Sequence, residues 1–432
     1  MSKATMKLRR FQVQGYKNFT SPVRLDDLGP FNVIHGDNNV GKSNLLESIG
    51  LFFVAMQALR EETKGGPSLG ERYERRVKTI DPAKLPEVQG GRLRWTLRSS
   101  SYWDERGFSA PEMFNFEQPG PIDFDVTLDD DADTSIAVRL RVQRWEEDVL
   151  VMLLGSSTLP AESTDAQIDG LLDRFGPRVQ GKETSPRFAL VRSDRTVVGG
   201  ESEPLMTRKP LPSALALDLH AAHTANDTRR ESYLRFADLL ECLRDLVGPG
   251  TWRMLFDRNA DRAELALEKG PRLPLVPLRL MGSGIQQIAL LCARIVMAPA
   301  DIMAIEEPEL NLRWNAQRTV HDLLMRIGRE PGGPQLFFNT HSGQFGGAAT
   351  SYILTRTESG PRIQKASVQG ALEYTQPQVP NPVMGQRAPW GYVTVEGLVQ
   401  IPPEVQQELG LAHGGGVVFI QDKDGHNLML TD

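Results

Sequence analysis

The chain has 432 residues, 40% hydrophobic and 24% charged, enough for two or three domains with buried cores. Lys and Arg total 49 against 55 Asp and Glu, a net charge of −6, which excludes a chain dominated by nonspecific nucleic-acid binding while leaving room for a local basic patch. The two cysteines, Cys242 and Cys292, lie in apolar segments of helical pattern, which excludes a disulfide scaffold and fits a reducing, cytoplasmic setting. No apolar run reaches the roughly eighteen residues of a membrane span, and residues 1–15 lack a signal-peptide core.

In chain order, strands are expected at Leu8–Gln14, around Val23 and at Phe31–Ile34. The third opens onto Gly36-Asp37-Asn38-Asn39-Val40-Gly41-Lys42-Ser43, which reads G-x-x-x-x-G-K-S. Asn44 follows, then a helical pattern (Leu45, Leu46, Ile49, Phe53, Met56) running to about residue 60. Strand, glycine-rich loop and helix form the context of a phosphate-binding loop. The glycines let main-chain N–H groups aim at phosphate oxygens, and the helix N-terminus adds a positive dipole end. Lys42 supplies a point charge for the β- and γ-phosphates, and the Ser43 hydroxyl can ligate Mg²⁺. The competing reading is a plain glycine turn before a helix.

Residues 61–90 are rich in Gly, Pro and charge and read as a surface connection. Ile122, Phe124, Val126 and Leu128, then Val138, Leu140 and Val142, alternate with polar residues as in a half-exposed antiparallel sheet. The acidic run at 129–133 between them reads as a solvated hairpin rather than a cation site. Residues 155–210 are polar and irregular with a helix near Ala166–Phe175. An amphipathic helix is expected at Arg229–Leu246, and strands at Trp252–Phe256 and Glu264–Leu267. Residues 283–356 alternate helix and strand three times, as a parallel α/β core does. Residues 374–389 form a Pro-rich linker to a short last unit, 390–432.

Three segments of this later half carry chemistry beside the loop. Ile302-Met303-Ala304-Ile305-Glu306-Glu307 is an apolar strand ending in two carboxylates; Glu306 suits Mg²⁺, and Glu307 can polarise an attacking water. An acidic helix start is the competing reading. Gly282-Ser283-Gly284-Ile285-Gln286 opens a helix, with Ser283 read either as an N-cap or as part of a loop gripping a γ-phosphate. Leu336-Phe337-Phe338-Asn339-Thr340-His341 is a strand ending near a histidine that can sense the γ-phosphate.

These four elements, in this order, resemble the ABC-type ATPase head of the RecF-like and OLD-like group, often called AAA-family ATPases. The opening segment Leu8–Phe19, with its Asn18-Phe19 turn, and the loop through Glu47 are similar to that group as well. The resemblance covers about residues 5–370, weakly from 60 to 270. It implies an α/β P-loop NTPase fold, with an antiparallel β lobe and an insertion at about 155–250, in a head spanning 1–373. It also implies ATP and Mg²⁺ as cofactors. The nucleotide contacts would be Gly36 through Asn44, with Ser283, Gly284 and Gln286 arriving from a second copy. Ser43 and Glu306 would hold the metal, with Gln118 as a candidate Q-loop ligand. Lys42, Glu307 and His341 would act in hydrolysis. Asn311-Leu312-Arg313 departs from the His-Leu-His of relatives.

The tail 390–432 resembles an AbrB/MazE-type swapped hairpin, on Val393 to Val405, Leu409-Gly410-Leu411 and the Gly-rich turn 414–416. It holds one basic side chain (Lys423) and six acidic ones, so dimerisation or partner docking is expected over DNA reading. Basic residues that could touch nucleic acid lie elsewhere: Arg72, Arg75, Arg76, Lys78, Arg229 and Arg230. The resemblance implies a homodimeric or larger ATPase switch with a protein effector or toxin partner, in bacterial anti-phage defence or a toxin–antitoxin-like system. A RecF-like DNA-repair ATPase and a nucleotide-gated, non-enzymatic regulator or antitoxin are the alternatives.

Overall fold

The computed structural model describes residues 5–63, 93–115, 119–130, 134–160, 163–180, 183–192, 213–257, 262–270, 272–297, 299–310, 312–342, 345, 350–357, 360–367 and 371, and, near the C-terminus, 392–393, 399–400, 417–421 and 427–431. The chain divides into two units, Met1–Tyr374 and Thr375–Asp432.

The centre of the first unit is a six-stranded sheet in the order β10 (Phe188–Val191), β14 (Ile302–Glu306), β15 (Gln335–Asn339), β3 (Phe31–Gly36), β16 (Thr350–Thr357) and β17 (Gly360–Ala366). The first five run parallel and β17 is antiparallel. Every residue of β3, β14 and β15 is buried, as expected of strands covered on both faces. Their side chains alternate between two cores. Ile34, Ile302, Ala304 and Phe337 pack with α1 (Lys42–Thr63) and the antiparallel lobe. Val33, Met303, Ile305, Leu336 and Phe338 pack with α8 (Ser283–Met297) and α9 (Trp314–Arg329).

The antiparallel lobe is a second six-stranded sheet, ordered β2 (Val23–Leu25), β1 (Met6–Gln14), β5 (Ile122–Asp130), β6 (Ser135–Trp145), β7 (Asp148–Ser156) and β4 (Arg94–Ser99). In β5 each buried residue is followed by a half-buried one, the period of two read from the sequence. Helices α2 (Ser100–Asp104) and α3 (Ala110–Met113) follow β4. Helix α4 (Asp165–Arg174) starts in a capping box between Thr164 and Gln167. A small hairpin of β8 (Arg178–Gln180) and β9 (Glu183–Ser185) leads to β10.

Within the insertion, helix α5 (Ser213–Thr224) follows residues 193–212, which lie outside the described residues. Helix α6 (Thr228–Leu240) passes through a 3-10 turn into α7 (Arg244–Val247), where one longer helix was expected. β11 (Thr251–Asp257), β12 (Arg262–Glu268) and β13 (Val276–Pro277) form a three-stranded sheet. Within 155–210 the helix expected near Ala166–Phe175 is α4, while β7 running on to Ser156 and the edge strand Phe188–Val191 correct the irregular reading of those segments, and 193–210 lie outside the described residues. Strands β4 and β7 were also absent from that reading. A third helix before β16 falls on a stretch in which 343–344 and 346–349 lie outside the described residues. In the second unit β18 (Tyr392–Val393) pairs with β19 (Val399–Gln400), and β20 (Val417–Gln421) with β21 (Asn427–Thr431), all antiparallel. The expected Ile401–Val405 turn, Leu409–Leu411 and the Gly-rich turn lie outside the described residues.

The lobe and the core are joined by buried polar bonds at the strand starts. Asp301, just before β14, accepts from the Met6 N–H at 3.1 Å and pairs with Arg187, both side chains almost wholly buried. Gln335 exchanges hydrogen bonds with the main chain of Leu8, at 2.7 and 2.8 Å. Among the described residues no helix is long and apolar enough to cross a membrane. Asp129 and Asp130 differ from the solvated hairpin expected there: they end β5, half-buried and buried, paired with Arg9 and Arg174, while 131–133 lie outside the described residues.

Removing one partner of a buried ion pair leaves an uncompensated charge, at a cost of about 3–5 kcal/mol. Arg187→Leu should therefore lower the urea midpoint by that equivalent, and a midpoint within error of the wild type would contradict the role given to this pair.

Candidate functional site

The glycine-rich loop follows from its local packing. A Cβ on Gly36 would lie 2.6 Å from the Leu354 carbonyl oxygen of β16, so only glycine lets the strands stay paired there. Gly41 has φ +108° and Asn39 φ +61°, the left-handed region that glycine and asparagine accept. The Asn18 amide buttresses the loop. Its Nδ2 donates to the Val40 carbonyl at 3.0 Å, and its Oδ1 accepts from Asn44 Nδ2 at 2.7 Å. Asp37, Asn38 and Asn39 are exposed, while Val40 packs inward. The Leu45 N–H donates to the Gly41 carbonyl at 2.9 Å as α1 begins.

The Lys42 ammonium donates to the carbonyls of Gly36 (2.7 Å) and Asp37 (2.9 Å) and lies 3.1 Å from His341 Nε2. An ammonium only donates, so Nε2 accepts in this arrangement. His341 Nε2 is also 3.7 Å from Glu307 Oε1. Burial lowers the Lys42 pKa, opposed by the charges of Glu307, Asp37 and Glu309.

Parallel pairing sets Asn339 opposite Glu306 on one side and Ile34 on the other, so β14 and β15 end level while β3 runs on beside β16 to Gly36. Beyond β14, Glu307 takes φ +41°, uncommon for a side-chain-bearing residue. Asn339 holds that turn: its Oδ1 accepts from the Glu307 N–H at 2.8 Å, while its Nδ2 donates to Ser43 Oγ at 3.1 Å. Glu309 Oε1 accepts from Thr340 Oγ1 (2.6 Å) and from the His341 N–H (2.8 Å), tying the two acidic-turn and histidine segments together. Glu306 is buried at the strand tip.

The structure thus gathers Gly36 to Asn44, Glu306, Glu307 and His341 at one end of the core sheet. No hydrogen bond or ion pair among the described residues joins 282–286 to the loop. Gly282, not Ser283, caps α8, its carbonyl accepting from the N–H groups of Ile285 and Gln286 at 3.0 and 3.2 Å. Ser283 is therefore the first helical residue and exposed, which corrects its N-cap reading. Gln286 turns back on its own segment, donating to the carbonyls of Met281 (2.8 Å) and Arg279 (3.2 Å). Gln118 and Asn311 lie outside the described residues, as do Arg72, Arg75, Arg76 and Lys78. Arg229 pairs with its own helix cap, Asp227, and Arg230 donates to the His223 carbonyl, so both are engaged locally.

Three residues of the site escaped the sequence reading: Asn18, Glu309 and Asn339. The Asn18-Phe19 turn was a visible signal for the first. The other two lie within segments singled out for neighbouring residues.

The donor set fits a nucleotide with a hard cation. The loop offers glycine-shaped access to main-chain N–H groups, and Ser43, Glu306 and Glu307 are oxygen donors only, as Mg²⁺ prefers. Among the described residues no three His, Cys, Asp or Glu groups come together to hold a metal unaided.

Residues 31–345 match the family model described as "AAA domain, putative AbiEii toxin, Type IV TA system". Among solved structures, an Smc head bound to the C-winged helix domain of ScpA is similar at 15% identity and TM-score 0.47, over 85% of this chain and 99% of that one. The SMC head domain from Thermotoga maritima is similar at 12% identity and TM-score 0.43, over 84% and 99%. An Smc head with an extended coiled coil from Pyrococcus furiosus, bound to the C-terminal domain of ScpA, gives 12% and 0.47, over 85% and 98%. No curated protein matches the chain.

His35, directly before the loop, is fully buried, and neither ring nitrogen has a hydrogen-bond partner among the described residues. Burial chiefly, then the nearby charges of Lys42 and His341, pull its pKa from 6.5 to about 4. The unfolded chain therefore binds the extra proton first, and stability falls as pH drops from about 6.5 towards 4, by up to about 3 kcal/mol. Thermal melts across this range should show a shallower acid limb for His35→Asn, and an unchanged slope would contradict the assignment.

Proposed function

The chain belongs to the AAA-domain family of AbiEii-toxin and type IV toxin–antitoxin type, and from that premise we propose that it is an ATP-binding and ATP-hydrolysing switch that closes as a homodimer around Mg-ATP. The observation that supports this reading is the convergence of Lys42, Ser43, Glu307 and His341 at the same end of three adjacent parallel strands.

The main-chain N–H groups of the loop and the start of α1 bind the β- and γ-phosphates, and the Lys42 ammonium exchanges its two loop carbonyls for phosphate oxygens. Ser43 and Glu306 hold Mg²⁺, which neutralises phosphate charge when bound. Glu307 positions a water whose oxygen forms the new bond to the γ-phosphorus while the bond to the β,γ-bridging oxygen breaks. ADP leaves with the bridging oxygen, and the Glu307 carboxylate receives the water proton. His341 contacts the γ-phosphate, and its position beside both Lys42 and Glu307 makes it responsive to whether that phosphate is present. The exposed start of α8, with Ser283, Gly284 and Gln286, completes the γ-phosphate site of a second copy.

Hydrolysis then times a conformational change rather than modifying a substrate. The setting is the bacterial cytoplasm, in anti-phage defence or a toxin–antitoxin-like pair, with a protein effector as partner. The acidic tail, AbrB-like in sequence, serves dimerisation or docking.

Lys42→Ala should abolish ATP turnover. Glu307→Gln should retain ATP binding while turnover falls at least about a hundredfold, as expected on losing a general base. Light scattering with ATP should show this variant as a dimer. Turnover by Glu307→Gln at the wild-type rate, or no turnover by the wild type, would overturn the proposal.

A further inference from the structure

We infer that Asn339 is a positioning residue that fixes the Ser43 hydroxyl for the metal and ties that hydroxyl to the turn carrying Glu307; the inference rests on the nucleotide reading above. Asn339 is 1% exposed, so its partners within the fold define the role of its carboxamide.

The orientation of the amide is forced. The Glu307 main-chain N–H can only donate, so the amide oxygen, 2.8 Å away, faces Glu307. The same N–H is shared with the Asn339 main-chain carbonyl at 3.0 Å, which makes the junction stiff. The amide nitrogen is left facing Ser43 Oγ at 3.1 Å, where it must donate. A serine hydroxyl has two lone pairs and one hydrogen. With one lone pair taken by Asn339, the second remains for a cation, and the O–H is left to point towards a phosphate oxygen. The hydroxyl hydrogen is therefore kept away from Asn339 before any ligand arrives, and one lone pair stays on the ligand side.

The other end of the amide is equally committed. Glu307 stands at φ +41°, a conformation that persists only where its surroundings hold it, and the three-centre bond to Asn339 is such a hold. One planar amide thus spans the loop of α1 and the turn after β14. It sits there because β15 lies between β3 and β14, ending level with β14 and opposite Ile34 of β3. Outer groups that orient a metal ligand are commonly worth about ten- to a hundredfold in metal affinity.

The test is a binding cycle on the full chain, read with a fluorescent ATP analogue in EDTA and again in Mg²⁺. Asn339→Leu is expected to cut the Mg²⁺-dependent tightening about tenfold or more, with EDTA affinity changed less than about twofold. In the Ser43→Ala background, Asn339→Leu should cause no further loss, because the amide acts through that hydroxyl. Asn339→Ala removes the same two bonds without branched carbon, and carries the same expectations should the leucine not be tolerated. An unchanged Mg²⁺ increment, an equal loss in EDTA, or the same loss in both backgrounds would overturn the inference alone. Absence of any Mg²⁺-dependent tightening in the wild type would instead overturn the nucleotide reading beneath it.

Discussion

The site depends on the parallel register of three strands. Pairing of Asn339 with Glu306 and with Ile34 makes β14 and β15 end together beside the last turn of β3 into the glycine-rich loop, so the segments leaving them meet at one place. A slip of one residue in β15 would turn its side chains to the opposite face. Phe337 and Phe338 would exchange cores, and Asn339 would lose both Ser43 and Glu307. The apolar alternation that builds the two cores and the polar bonds that build the site are thus one constraint, because each fixes the same register.

The opposite ends of these strands hold the lobes together. Asp301 and Gln335 begin or precede β14 and β15 and bind the main chain of β1, while Arg187 enters from the segment before β10. Stability concentrates at the strand starts and chemistry at the strand ends. The glycine-rich loop is tied to the lobe as well, through Asn18 in the turn between β1 and β2. Movement of the antiparallel lobe against the core would therefore be felt at Val40 and Asn44.

Much of this was legible in the sequence. The loop from Gly36 to Ser43 announces itself by glycine spacing, and the strand-plus-carboxylate and strand-plus-histidine segments by apolar runs ending in charge. Other features were not. Asn339 belongs to an apolar run in which one polar residue reads as a strand end, and spacing alone does not reveal that it faces Ser43. Glu309 was overshadowed by the two carboxylates before it. β10 is four residues long amid polar sequence, and its place in the core is set by β14 rather than by its own pattern. At the start of α8 the serine drew the cap assignment, yet Gly282 stands at the cap position, its carbonyl taking the first intrahelical bonds. Propensity names the residue type that favours a cap, whereas the chain path decides which residue stands there.

A crystal structure with Mg²⁺ and a non-hydrolysable ATP analogue tests the central claim most directly. The account predicts the triphosphate cradled by Gly36–Ser43 and Asn339 still bonded to Ser43. It also predicts Ser283 of a second copy against the γ-phosphate. An analogue bound elsewhere, or held in this loop with no second copy near it at saturating protein, would contradict it.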